Sequence, residues 1–235
     1  MMRRLLTLPN LLRAVGILIV LYASYLMLRI TLPFTALRPG IGFLRTKFAI
    51  YHIRHWRWSF YIHIFTAIPV LLCGLSQFSG YLIRRMPRLH RISGYIYVVD
   101  VLAVTGPAAL VMSFYANFGW PARISFILQS LAWLYCTGLA LRRALQRKFL
   151  PHGEWMLRSY AITLAAIMLR SYSSLLSYWH ADLPPGPRYI LISWASWVPN
   201  LIVAELIIRS GFVKRLLKKR PGSPVRPAAG PGREE

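Results

Sequence analysis

"MPRLHRISGYIYVVDVLAVTGPAALVMSFY", residues 86–115, decides the fold class. Its first six residues carry Arg88, His90 and Arg91; the next 24, from 92 to 115, hold a single acidic or basic side chain, Asp100. Coiled as a helix at about 1.5 Å per residue, those 24 residues reach about 36 Å, enough to cross a hydrocarbon core of about 30 Å. A basic mouth followed by an apolar run of that length reads as a transmembrane helix.

The whole chain follows the same pattern. It is 56% hydrophobic and 15% charged over 235 residues, with a mean hydropathy of +0.46, whereas soluble domains carry about 25% charged residues. Runs at 12–30, 58–83, 92–115, 122–141, 155–179 and 189–208 each have the length of a span, so the predicted fold is all-α: a polytopic membrane protein built as a six-transmembrane-helix bundle. The first run is too long for a signal-peptide core and no small-x-small cleavage site follows it, so it reads as a retained signal anchor. The net charge of +23 and pI near 11.2 suggest nucleic acid in isolation, but the apolar runs exclude that partner. Cys73 and Cys136 each lie inside an apolar run and read as buried free thiols.

The basic residues predict the orientation. Nineteen of the 29 Lys and Arg lie ahead of run 1 or at its start, between runs 2 and 3, between runs 4 and 5, or in the tail; seven lie on the opposite side. That bias predicts an inner-membrane protein with both termini in the cytoplasm. The predicted organisation is a signal-anchor helix at 1–31, an external loop at 32–57 with room for a short interfacial helix, a five-helix membrane core at 58–209, and a tail at 210–235. The tail is basic and amphipathic through "GFVKRLLKKR", suited to anionic lipid headgroups, and then Pro/Gly-rich and disordered. Membrane lipids are therefore expected partners. The connections "RRMPRLHR" and "RRALQRKFLPHGEW" share Arg-Arg, then Pro, then His, a faint parallel repeat.

Ionisable groups inside a membrane are costly and need a partner or a task. Sorted by depth, His63 and Arg170 fall in the outer half, Asp100 and Asn200 near the middle, and Gln77, His90, His152, Arg158 and Glu205 towards the cytoplasmic face. These levels predict that runs 2, 3, 5 and 6 converge, with run 4 serving packing and run 1 peripheral. His90 and His152 open the third and fifth runs, where helix N-termini and neighbouring arginines such as Arg91 disfavour imidazolium. A neutral imidazole is what a metal or haem iron binds; hydrogen bonding to loop backbone is the plainer role. Glu205 is expected to pair with Arg158, or with Arg209 at i,i+4, or to hold a proton or cation. Asp100 has no cation at its level, so it is expected to keep its proton, bonded to Asn200 or a carbonyl, or to carry protons as a working site. Gly106 and Pro107 should bend its helix. Arg170 requires an anion, a propionate, a phosphate, neutral His63 or the serines that follow it.

The stretches "HRISGYIYV" at 90–98, "HGEWMLRSYAI" at 152–162 and "WVPNLIVAE" at 197–205 resemble a family of bacterial multi-pass membrane proteins grouped as a domain of unknown function. The resemblance covers roughly runs 2 to 6 and implies membership without implying an activity. A more distant likeness is to transmembrane two-haem b-type cytochromes, four-helix proteins with histidines near both faces. His63 and Gln77 are 14 residues apart, about 40° short of four full turns, and so share one helix face. Gln77 is a poor iron ligand and run 4 has no histidine, which argues against two haems. One haem b on His90 and His152 stays open, with Gln77, Arg91, Arg158 and His63 around it and a quinone or redox protein as partner. The alternatives are a small proton-coupled transporter using Asp100, Glu205 and Asn200, against which stands the lack of clear helix breaks, and a lipid-interacting accessory protein. No nucleotide loop, nucleophile–base pair or metalloprotease spacing occurs, so hydrolysis is the least supported activity, and the sequence alone leaves open whether the chain is an enzyme.

Overall fold

The computed structural model describes residues 8–179 and 182–218. Among these there is no strand. Helix α1 (Leu8–Thr31) leads through two 3-10 segments, Leu32–Ala36 and Gly42–Ile50, into α2 (Arg54–Ser76). A short α3 (Gly80–Arg85) turns the chain into α4 (Pro87–Val99), which runs through a π-helical stretch, Asp100–Thr105, into α5 (Gly106–Ser113). Then come α6 (Trp120–Leu145), α7 (Phe149–Thr163), α8 (Ala165–Tyr178), α9 (Pro185–Ala195), α10 (Val198–Arg209) and α11 (Phe212–Leu217). Five stretches are long and apolar enough to cross a membrane: Ala14–Ala36, Arg54–Ser76, Pro87–Ser113, Trp120–Leu145 and Pro185–Arg209.

The count of six predicted from the runs is therefore met five times. The run at 155–179 is divided at Leu164 into α7 of 15 residues and α8 of 14, each short of the roughly 20 that one span needs. The expectation of unbroken helices also fails. Pro199 cannot donate to the carbonyl four residues back, and the α9–α10 junction opens at Trp197, whose indole N–H donates to Ser125 Oγ at 3.1 Å. Boundaries shift too: α2 starts at Arg54, inside the predicted loop, and ends at Ser76, so the predicted run 58–83 misses the first turn of α2 and runs on into α3.

Packing places α1 at the margin, against α2 and α8. The core is centred on Val70, Tyr97, Val101, Trp133, Met156 and Tyr160. Gly74 marks the tightest crossing: a Cβ there would stand 2.4 Å from the Tyr160 ring and 2.8 Å from the Tyr97 ring. Inside this core lies a hydroxyl network that the depth analysis missed, because it weighed only residues able to carry charge and side-chain amides. Tyr97 Oη lies 2.7 Å from Ser159 Oγ and 2.8 Å from Thr163 Oγ1; Thr137 Oγ1 lies 2.7 Å from Ser159 Oγ, and the Trp133 indole N–H donates to Thr163 at 3.0 Å. The i,i+4 pair Ser159 and Thr163 was the readable signal, two hydroxyls on one helix face.

The connection at 32–57 is more than an exposed loop with one interfacial helix. Its two 3-10 segments carry Leu44 into a second cluster with Trp56, Phe60, Tyr61 and Ile64. Lys47 is buried beside it, its ammonium donating to the Tyr115 carbonyl and to Asn117 Oδ1 at 2.6 Å. Burial, and then the charge of Arg123, pull Lys47 from its ordinary 10.5 to about 8. Between those two values the unfolded chain holds more protons than the folded one, so the lysine's contribution makes stability rise with pH across that window. Thermal unfolding in detergent at a series of pH values should show wild type gaining on Lys47→Met from about pH 8 to about 10.5, and parallel curves below pH 8.

At the opposite end, α11 docks on the bundle: Val213 is buried against Gly153, and Arg84 Nη1 donates to the Leu216 carbonyl at 3.1 Å. The basic strip expected to lie on headgroups thus has a protein contact through its first turn. The expected disordered tail falls outside the described residues from 219 onward.

Candidate functional site at the arginine-rich end

His90 and His152 occupy equivalent positions. Each is the fourth residue of its helix, α4 from Pro87 and α7 from Phe149, with its amide bonded back to Met86 and Lys148 respectively. Both helices begin earlier than the apolar runs suggested, since Pro87 and Phe149 already lie in helical backbone; the histidines sit in the first turn and not ahead of it. The two imidazoles are within electrostatic range of each other.

Their ring atoms differ in commitment. His152 Nδ1 lies 2.9 Å from the Ala140 carbonyl. A carbonyl can only accept, so Nδ1 carries a proton, and in the neutral ring Nε2 keeps its lone pair. His90 Nδ1 is buried with no hydrogen-bond partner. A buried imidazole nitrogen without a partner is costly and needs an explanation. Together these give one lone pair aimed by a backbone carbonyl and one nitrogen without a protein partner, which is the donor chemistry an iron or other soft-to-borderline ion accepts. Among the described residues no group of three or more His, Cys, Asp or Glu could hold a metal ion.

The neighbours sort into those drawn in and those left out. Gln77 is buried, and its amide donates to Ser93 Oγ at 2.8 Å and towards the His90 carbonyl at 3.4 Å. It therefore braces the backbone of the histidine's turn. Arg91 is exposed and its Nε donates to Pro87 of its own helix at 3.4 Å, so it does not join the cluster as expected. Arg158 is also committed elsewhere, because the expected ion pair forms: Nε and Nη2 donate to the two Glu205 oxygens at 2.5 and 3.0 Å, and the guanidinium lies 4.5 Å from the Trp155 ring centroid. This ties α7 to α10.

The middle level departs from expectation. Asn200 does not meet Asp100; its amide donates to the Ala161 and Ser196 carbonyls at 3.1 and 2.9 Å, bridging the α9–α10 break to α7. Asp100 instead bonds to Thr105, whose hydroxyl also meets that of Thr66. His63, expected beside Arg170 in the outer half, has Nδ1 at 3.4 Å from the Thr105 carbonyl, with Arg170 within electrostatic range. Arg170 Nη1 donates to Ala166, one turn back on α8, at 2.9 Å; neither His63 nor the following serines hold it. Two groups thus emerge: one around His90 and His152, the other around Asp100, Thr105, Thr66 and His63.

A family model described as "Predicted membrane protein (DUF2306)" matches residues 60–208, more than half of the chain. No curated protein and no solved structure matches it significantly.

Proposed function

The chain belongs to the DUF2306 family of membrane proteins, and since that family has no assigned activity we propose a function from the site alone: a redox membrane protein that holds one haem b between His90 and His152. The observation carrying this reading is the pair of uncommitted ring nitrogens, His90 Nδ1 buried without a partner and His152 Nε2 left with its lone pair by the Ala140 carbonyl. Haem in such a site would supply one-electron transfer, its potential tuned by the axial ligands. The chain's own residues orient the ligands. Ala140 selects the His152 tautomer, Gln77 and Ser93 brace the turn bearing His90, and the Arg158–Glu205 pair holds α7 against α10.

In this reading the sixth crossing is made by α7 and α8 together, and the arginine-rich end with both termini faces the cytoplasm of an inner membrane. Arginines such as Arg91, free of acidic partners, meet lipid phosphates there, and a quinone or a redox protein takes up the electron. A proton-coupled transporter is the second reading. The break at Trp197 and the π-helical stretch favour it, since discontinuous helices line ligand sites in that class.

The test of the first reading is an absorption spectrum of the purified full chain in detergent after haem supplementation. A Soret band is expected in wild type and in His63→Ala, and its loss or collapse to a weak, exchangeable signal in His90→Ala and His152→Ala. A wild-type spectrum with no Soret band, or single-histidine variants that retain it unchanged, removes the proposal.

A further inference from the structure

We propose that the π-helical turn in the third span builds a proton-holding site on Asp100, connected to a relay of two hydroxyls, Thr105 and Thr66. This inference is independent of haem binding and rests on a different set of residues.

The local sequence makes the turn. Pro107 lacks an N–H, and its ring presses on the carbonyl four residues back. The helix answers by widening at Asp100–Thr105, and the Gly106 amide bonds to the Val101 carbonyl, five residues back. Only glycine fits there, because a Cβ on Gly106 would stand 2.2 Å from that carbonyl oxygen. Single π turns occur often at functional sites. Here the widening has a definite consequence. On an α-helix, side chains five residues apart are separated by about 500°, or about 140° around the axis, and cannot meet. On the π turn Asp100 and Thr105 face each other and bond.

Counting hydrogens then assigns the proton. Thr66 Oγ1 donates to the Ile62 carbonyl at 2.8 Å, and a carbonyl can only accept. A hydroxyl has one hydrogen. With Thr105 Oγ1 donating to Asp100 Oδ1 and Thr66 to Ile62, the contact between the two threonines has no hydrogen; a proton on Asp100 reverses the first bond, so that Asp100 donates to Thr105 and Thr105 to Thr66. All three contacts are hydrogen bonds only when the Asp100 carboxyl carries a proton. With Asp100 ionised, Thr105 donates to it, Thr66 donates to Thr105, and the Ile62 carbonyl loses its side-chain donor. The two states differ by one proton. In going from the first to the second, the carboxyl proton passes to Thr105 Oγ1, the Thr105 hydrogen passes to Thr66 Oγ1, and the hydrogen formerly on Thr66 leaves to water. Asp100 is left as a carboxylate and both threonines are again neutral alcohols, so atoms and charge balance.

The charged and titratable groups around the site support a resting neutral carboxyl. From α2, Cys73 lies within range of Asp100, and His63 reaches the Thr105 carbonyl; Arg170 on α8 lies within electrostatic range of His63. None of these forms an ion pair with Asp100, and Arg158–Glu205 is the one ion pair among the described residues. A carboxylate without a cation in the interior of a span is the costlier state.

Infrared spectroscopy of the full chain in vesicles tests this directly, and the chain's six acidic residues keep the spectrum simple. A protonated-carboxyl C=O band is expected at neutral pH, where a free aspartic acid of pKa about 3.9 is ionised. The band should vanish in Asp100→Asn and move to higher frequency in Thr105→Val, which removes the acceptor and keeps the shape. In D2O its exchange should slow by at least about tenfold in Thr66→Val, a modest share of what a positioned proton carrier contributes. Absence of the band in wild type at neutral pH, or its persistence in Asp100→Asn, overturns the site. Should Asp100→Asn fail to fold, an unmoved band in Thr105→Val overturns it as well. Unchanged exchange in Thr66→Val overturns the relay.

Discussion

Gly74→Leu is expected to lose about 3 kcal/mol of stability or more, at the upper end for overpacking a filled core. The first added carbon alone would lie 2.4 Å from Tyr160 and 2.8 Å from Tyr97. Neither ring can swing aside freely. Tyr97 is fully buried and tied by its hydroxyl to Ser159 and Thr163, and Tyr160 Oη donates to the Leu71 carbonyl at 3.2 Å. Relief requires separating α2 from α4 and α7, which opens the core and strains the brace that Gln77 makes just beyond the end of α2. The two free thiols give a convenient readout, since Cys136 is buried and Cys73 half-buried. A thiol-reactive dye in a thermal ramp should report a midpoint lowered by several degrees. A midpoint within a degree of wild type would mean that this crossing is looser than its distances indicate.

The second large effect concerns Arg158 and Glu205. Arg158→Met and Glu205→Met are each expected to cost about 2 kcal/mol, between the small value of an exposed pair and the several kcal/mol of a fully buried one. The intermediate figure follows from side-chain exposures of 19% and 40% combined with two-pronged geometry and the Trp155 face beneath the guanidinium. Each single change strands one charge between helices. The double change strands none, so Arg158→Met/Glu205→Met should recover most of the loss, a coupling read from the same thermal assay. Additive losses would show that the pair is decorative.

Several site features were legible in the sequence. His63 and Gln77 share a helix face, as their spacing required, and both point at the third span: Gln77 to Ser93 and His63 to Thr105. The Arg158–Glu205 pair followed from depth alone. Depth failed for Asp100, because ranking by rise per residue assumes a regular helix and a partner at the same height. The π turn brings Thr105 round to face Asp100, and with it links Asp100 to Thr66 and sets His63 against the Thr105 carbonyl, a group placed one level farther out. Pro107 and Gly106 were visible as a bend, but a proline can kink, break or widen a helix, and the neighbouring packing selects among these.

What the sequence by itself determined is that this chain lies in a membrane as helices, and roughly where each begins. That outcome is local: a long apolar run must satisfy its own backbone, and in hydrocarbon the helix does so within the run. Which polar groups meet was decided only by the tertiary structure. Rotation of each helix about its axis, its vertical register and its interruptions depend on interlocking shapes such as Gly74 against two tyrosines. No single segment holds that information, because lipid tails are as apolar as the side chains and reward no particular face until another helix fills it.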